Sequence, residues 1–91
     1  MREKQIENQI KQYLKSKDIW YFKTWGGGYQ TAGIPDIIAC YKGRFMAIEV
    51  KNEIGKTTAL QELNLKHIQQ CQGISIVARS LDDVKKVIEN I

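Results

Sequence analysis

Asp36, Glu49 and Lys51 are the residues of this 91-residue chain best placed to do chemistry. They interrupt two otherwise apolar segments, "IPDIIACY" (34–41) and "RFMAIEVK" (44–51), which meet at Lys42-Gly43. A two-residue hairpin loop there pairs Tyr41 with Arg44, Cys40 with Phe45, Ile38 with Ala47 and Asp36 with Glu49. Side chains two residues apart share a face, so Lys51 joins the two carboxylates. The opposite face carries Ile37, Ala39, Met46, Ile48 and Val50 and reads as uninterrupted core. Carboxylates facing each other across a strand pair repel, and in a half-buried place the pKa of one of them rises. A cation has to compensate. Lys51 supplies part of that, and a divalent metal such as Mg²⁺, which prefers hard carboxylate oxygens, supplies more. The spacing leaves two arrangements open: a metal site, or an Asp–Glu–Lys ion-pair cluster at a sheet edge.

The elements that must hold these residues follow from periodicity. Ile6, Ile10, Tyr13 and Leu14 form one apolar stripe and predict a helix over residues 3 to about 17. Glu7 lies at the edge of that stripe, where a solvated flank residue paired with Lys11 at i+4 is expected. "IWYFKTW" (19–25) is β-branched and aromatic and predicts a strand. "GGGYQTAG" (26–33) has the composition of a loop and lacks the spacing of a nucleotide-binding loop. It reads either as a plain connection or as a segment that tracks a nucleic-acid backbone through Gly27 and Gly28 and stacks a base on Tyr29. After the hairpin, "TTALQELNLKHIQQCQG" predicts a helix capped by Thr57 or Thr58 and ended by Gly73. "ISIVA" (74–78) is a short buried strand. Ser80, with Asp83 three residues on, approximates a capping box for a last helix with Val84, Val87, Ile88 and Ile91 as its apolar face. The expected order is α-β-β-β-α-β-α.

The length predicts one domain, 1–91, with only a modest buried share, so oligomerisation would help it. No apolar run reaches the roughly 18 residues of a membrane span, and "MREKQIENQIKQ" lacks the apolar stretch of a signal peptide. A cytoplasmic location is expected. Cys40 and Cys71 belong to no CxxC or Cys/His pattern, which argues against zinc and for buried thiols. The lone His67 reads as a partly buried helix residue. A formal net charge of +4 favours polyanionic partners, with Lys11, Lys15, Lys17, Lys23, Lys51, Lys56 and Lys66 spread along the chain.

Taken in order, Glu7, Gly33-Ile34-Pro35-Asp36, Glu49-Val50-Lys51, Gln61 and Gly73 resemble the VRR-NUC group of the PD-(D/E)XK nuclease superfamily. The resemblance covers nearly the whole chain and rests on the ordered set rather than on any one motif. One departure stands out: members often carry an aromatic residue shortly after the Gln, where this chain has Asn64.

The resemblance implies a restriction-endonuclease-like α/β core with a mixed central sheet flanked by helices. It implies an Mg²⁺- or Mn²⁺-dependent endodeoxyribonuclease leaving 5′-phosphate and 3′-hydroxyl ends. Asp36, Glu49 and the Val50 carbonyl would hold the metal, and Glu7 would reach it, through water if not directly. Lys51 would position or activate the attacking water, and Gln61 would hold the site or the substrate. No helix-turn-helix or zinc finger is present to read base edges, so binding is expected through phosphates, Lys56 among the contacts, and to be salt-dependent. Small members of the group act on four-way DNA junctions as homodimers, which matches the symmetry of two sites on a branched DNA; their size points to a phage or mobile-element origin. Alternative readings are a nickase or flap endonuclease with a larger repair or replication partner, and a non-catalytic nucleic-acid-binding module of the same fold. A structural protein that uses the three charges as a salt bridge is a third.

Overall fold

The computed structural model describes residues 1–25 and 32–91. Its elements are α1 (Glu3–Ser16), β1 (Trp20–Lys23), β2 (Ile37–Tyr41), β3 (Arg44–Val50), α2 (Ala59–Gln70), β4 (Ile74–Ala78) and α3 (Leu81–Ile88), in the order expected from the sequence. The strands form one mixed sheet in the order β1-β2-β3-β4. The first two pairings are antiparallel and β3–β4 is parallel. A parallel neighbour needs a crossover connection, and α2 supplies it.

The hairpin has the expected register. Lys42 (φ 52°) and Gly43 (φ 76°) are both left-handed, as a two-residue type I′ turn demands. Tyr41 pairs with Arg44, Cys40 with Phe45 and Ile38 with Ala47. Ile37, Ala39, Met46, Ile48 and Val50 are consequently all buried. Ile6, Ile10 and Leu14 of α1 and Val84 and Ile88 of α3 pack in the same core cluster. On the opposite face, among the described strands, α2 packs against β3 and β4.

Several expectations are corrected. Cys40 and Cys71 are exposed: Cys40 lies on the part of the sheet that α2 leaves uncovered, and Cys71 sits at the C-cap of α2. His67 is likewise exposed on α2, and Glu7 is only 6% exposed rather than solvated. The left-handed residue after α2 is Gln72 (φ 73°), not Gly73. Gly73 is required for another reason, since a Cβ there would lie 2.7 Å from Ile68 Cγ2. At α3 the Ser80 side chain makes no capping bond; Asp83 Oδ2 accepts from the Arg79 N–H instead, at 2.9 Å. No helix among the described residues is long and apolar enough to cross a membrane. Gly27, Gly28 and Tyr29 lie outside the described residues.

Candidate active site

Asp36 stands just before β2, where the antiparallel ladder ends. Its backbone carbonyl accepts from the Thr24 N–H at 2.9 Å, and the Thr24 hydroxyl donates to the Pro35 carbonyl at 2.8 Å. The Asp36 side chain crosses to β3 and accepts from the Val50 N–H at 2.8 Å. Both the main chain and the carboxylate are therefore fixed. The segment leading in is fixed too, because Asn64 of α2 donates to the Gly33 carbonyl at 2.9 Å. Gly33 has φ +83°, and a Cβ there would come within 2.9 Å of Leu60. The residue that departs from the family pattern, Asn64, thus docks α2 onto the turn that carries Asp36.

Glu49, near the end of β3, is 2% exposed. Its Oε2 accepts from Gln61 Nε2 at 2.9 Å and lies 3.9 Å from Lys51 Nζ. Its Oε1 is buried and has no hydrogen-bond partner. A buried carboxylate oxygen left bare is expensive. Burial first, and then the charge of the neighbouring Asp36 carboxylate, push Glu49 up to about 8; Lys51 pulls it down, and Glu3 adds to the upward push.

Gln61 is held from both sides, which explains how it reaches Glu49. It is the third residue of α2, and Thr58 caps the helix by accepting from the Gln61 N–H at 3.1 Å. The Gln61 side-chain oxygen accepts from the Thr58 N–H at 2.8 Å. This capping box turns the amide nitrogen toward Glu49. Lys51, just past β3, is tied by its N–H to the Ala78 carbonyl at 3.0 Å. The loop beyond it folds on Asn52, whose Oδ1 accepts from Gly55 N–H at 2.6 Å, and Arg79 donates to the Asn52 and Gly55 carbonyls. Lys56 is exposed in this loop.

Glu7 is placed differently from the other candidates. It faces the α1 side of the sheet, where Lys23 approaches at 2.8 Å, Lys4 at 3.2 Å and Lys11 at 3.4 Å. Burial works to raise its pKa, but hydrogen bonds and charge from Lys23 and Lys4 outweigh that and hold the carboxyl below its usual range. The predicted Lys11 pairing is present, within a larger cluster. The structure therefore brings Asp36, Glu49, Lys51 and Gln61 together and gives Glu7 to three lysines.

The site also has members that sequence reasoning missed. Glu3, one turn before Glu7, is close enough to act on Glu49. Arg79 and Asn52 shape the loop between Lys51 and α2. No motif announces them, although the i, i+4 spacing of Glu3 and Glu7 on one helix face was a readable signal.

The arrangement can hold a hard cation. Asp36 and Glu49 are oxygen donors, and the bare Glu49 Oε1 lacks a partner that a cation would provide. Among the described residues no group of three His, Cys, Asp or Glu side chains converges, so the remaining donors would be the Val50 carbonyl and water, as Mg²⁺ readily accepts. No protein-family model matches the chain, and no curated protein matches it.

Proposed function

We propose that this chain is a metal-dependent DNA endonuclease of the PD-(D/E)XK kind, with a restriction-endonuclease-like core of the VRR-NUC type. The observation that carries the reading is Glu49: a buried carboxylate, opposed by Asp36, with one oxygen held by Gln61 and the other unpartnered. A protein that used these charges only as a salt bridge would gain from satisfying both oxygens, and Lys51 stands at the outer limit of an ion pair.

Asp36 and Glu49, with the Val50 carbonyl, would hold Mg²⁺ or Mn²⁺. Such an ion neutralises charge on a phosphodiester and makes a nucleophilic water available near neutral pH. The side chains do the rest. Gln61 fixes Glu49 Oε2 and leaves Oε1 for the ligand. Lys51 places a positive charge beside the same carboxylate, where it orients a water and favours its deprotonated form. Val50 N–H anchors Asp36, so neither carboxylate needs to reorganise. For Glu7 to contribute, its carboxylate has to exchange Lys23 for the site.

The substrate reading is a structure-selective enzyme with a four-way junction preferred. What supports it is the net charge of +4, which suits phosphates rather than base edges, and the lack of a base-reading element among the described residues. Cleavage of a four-way junction, a flap, a nicked duplex and a plain duplex in Mg²⁺ tests it. Fastest cutting of the junction is expected. Equal rates on all four remove the junction preference, and no cutting of any removes the enzyme reading in favour of a non-catalytic binder.

A further inference from the structure

We propose that the cleft between α2 and the β2–β3 hairpin receives one unpaired nucleobase of the DNA strand that the candidate active site cuts. The inference rests on the nuclease reading above and adds to it the form of DNA that the site takes. Side chains two residues apart on a strand, and those paired across strands, share a face. Asp36 and Ile38 therefore lie on one face of the sheet with Phe45, Ala47 and Glu49. On that face α2 packs against β3 and β4, and its Gln61 holds Glu49. One turn further along the helix, Asn64 begins the wall of a cleft of about 530 Å³, whose other walls include Pro35, Ile38, Phe45 and Ile68. That volume is in the range of ligand sites. Pro35 adjoins Asp36 in the chain. At ~3.4 Å per residue, Ile38 lies about 7 Å from Asp36 and Phe45 about 14 Å from Glu49 along their strands. Those spans equal roughly two to four nucleotide steps along a DNA strand. A strand with a phosphate at Asp36 and Glu49 thus brings a neighbouring base to the cleft.

The lining selects a base. Phe45 is 47% exposed and offers a ring for stacking, and Pro35, Ile38 and Ile68 supply apolar walls for the faces of a base. Asn64 supplies a fixed polar edge. Its Nδ2 donates to the Gly33 carbonyl at 2.9 Å, which leaves Oδ1 as an acceptor for an exocyclic amino group. The basic side chains of the lining are Arg44 and His67, and among the described lining residues there is no acid. Both are exposed. The Arg44 contact with the Gln72 carbonyl, at 3.5 Å, is at the limit of a hydrogen bond, and a phosphate is the stronger acceptor. A purely apolar ligand would leave the amide and the cation unused, whereas a nucleotide uses ring, amide and cation together. A base stacked in a duplex cannot enter such a cleft. The occupant is a base out of the stack, and extrusion costs least where the base is already unpaired.

A four-way junction with one unpaired 2-aminopurine at the branch, compared with the same junction fully paired, tests this. Binding of the full chain is followed in a chelator by the anisotropy of a label on one arm, and 2-aminopurine emission reports stacking. The parent is expected to bind the unpaired form at least about 10-fold more tightly and to quench its 2-aminopurine. Phe45→Ala, at an exposed position, is expected to keep its circular dichroism spectrum and to leave the 2-aminopurine bright. It should lose most of the preference, since one lost stack corresponds to roughly 5–100-fold in affinity. His67→Ala loses less of it and stands in if Phe45→Ala unfolds. Equal affinity of the parent for the two junctions, or a preference that both variants retain, overturns the proposal. So does a bright 2-aminopurine with a parent whose mass in solution falls on Phe45→Ala, which would give the cleft to a second copy. Cleavage in Mg²⁺ separates the cleft from the reading it rests on. A parent that cuts both junctions without preferring the unpaired form to bind keeps the nuclease and loses the cleft. One that cuts neither, yet shows the preference and the quenching, keeps the cleft and loses the nuclease.

Discussion

Replacing Glu49 with Gln should make the metal-free protein more stable at high pH while removing its metal binding. Glu49 ionises near 4.5 when free and only at about 8 in the fold. The unfolded chain therefore carries the charge between those values while the folded chain holds the proton. Unfolding then releases a proton, and stability falls as pH rises through that window, levelling off above about 8. The steepest slope is about 1.4 kcal/mol per pH unit. Summed over the window this reaches a few kcal/mol, a large part of the ~5–15 kcal/mol typical of a whole domain. Gln keeps the shape and the Gln61 contact but has nothing to titrate. Glu7 does not confuse the result: its lowered pKa gives stability that is lost only at pH below the window. Tyr13, raised above its ordinary value of 10.0, titrates beyond it. The assay is urea unfolding at pH 5, 6, 7, 8 and 9 in a chelator, parent against variant. The difference in stability should grow with pH up to about 8 and then stay constant. With Mn²⁺ added at pH 8, the parent should gain stability and the variant should not. A difference that does not change with pH would mean that Glu49 is not held protonated, and the case for a cation site there would fail.

Other outcomes follow from particular contacts. Glu7→Ala strips three ammonium groups of one buried acceptor; with charged hydrogen bonds worth about 1.5–3 kcal/mol, a loss near 2 kcal/mol should show as a thermal midpoint lower by roughly 10 °C in calorimetry. Gly33→Ala forces a Cβ against Leu60 in a left-handed backbone and should cost about 2 kcal/mol in urea unfolding, with Mn²⁺ affinity reduced because Asp36 is displaced. Gln61→Ala removes the capping box and the Glu49 contact; calorimetric titration should find Mn²⁺ bound about 10–100-fold more weakly, and unchanged affinity would show that Gln61 acts on the helix alone.

The parts of this fold that are local in the chain could be read directly. The two-residue turn at Lys42-Gly43 fixes the hairpin register by itself, and the register alone places Asp36, Glu49 and Lys51 on one face. Gln61 could be named only through the family resemblance, and the sequence did not tell that its capping-box geometry turns it toward Glu49. What stayed hidden depends on coverage. Whether Cys40 is buried is decided by how far α2 reaches across the sheet, which no periodicity in β2 records. Glu7 sits at the edge of an apolar stripe, and its burial depends on Lys23 arriving from β1 to neutralise it. Arg79 holds the loop after Lys51 through backbone carbonyls, which leave no trace in the sequence.

The central claim is that the Asp36–Glu49 face cuts DNA, and one comparison tests it most directly. A labelled four-way junction is incubated in Mg²⁺ with excess parent protein or with Asp36→Asn, and cleavage and junction binding are both followed. Asn keeps the side-chain shape and removes a charged metal ligand. The account predicts cutting by the parent, a loss of at least about 100-fold in the variant, and junction binding retained. Equal cleavage by the two proteins would contradict it.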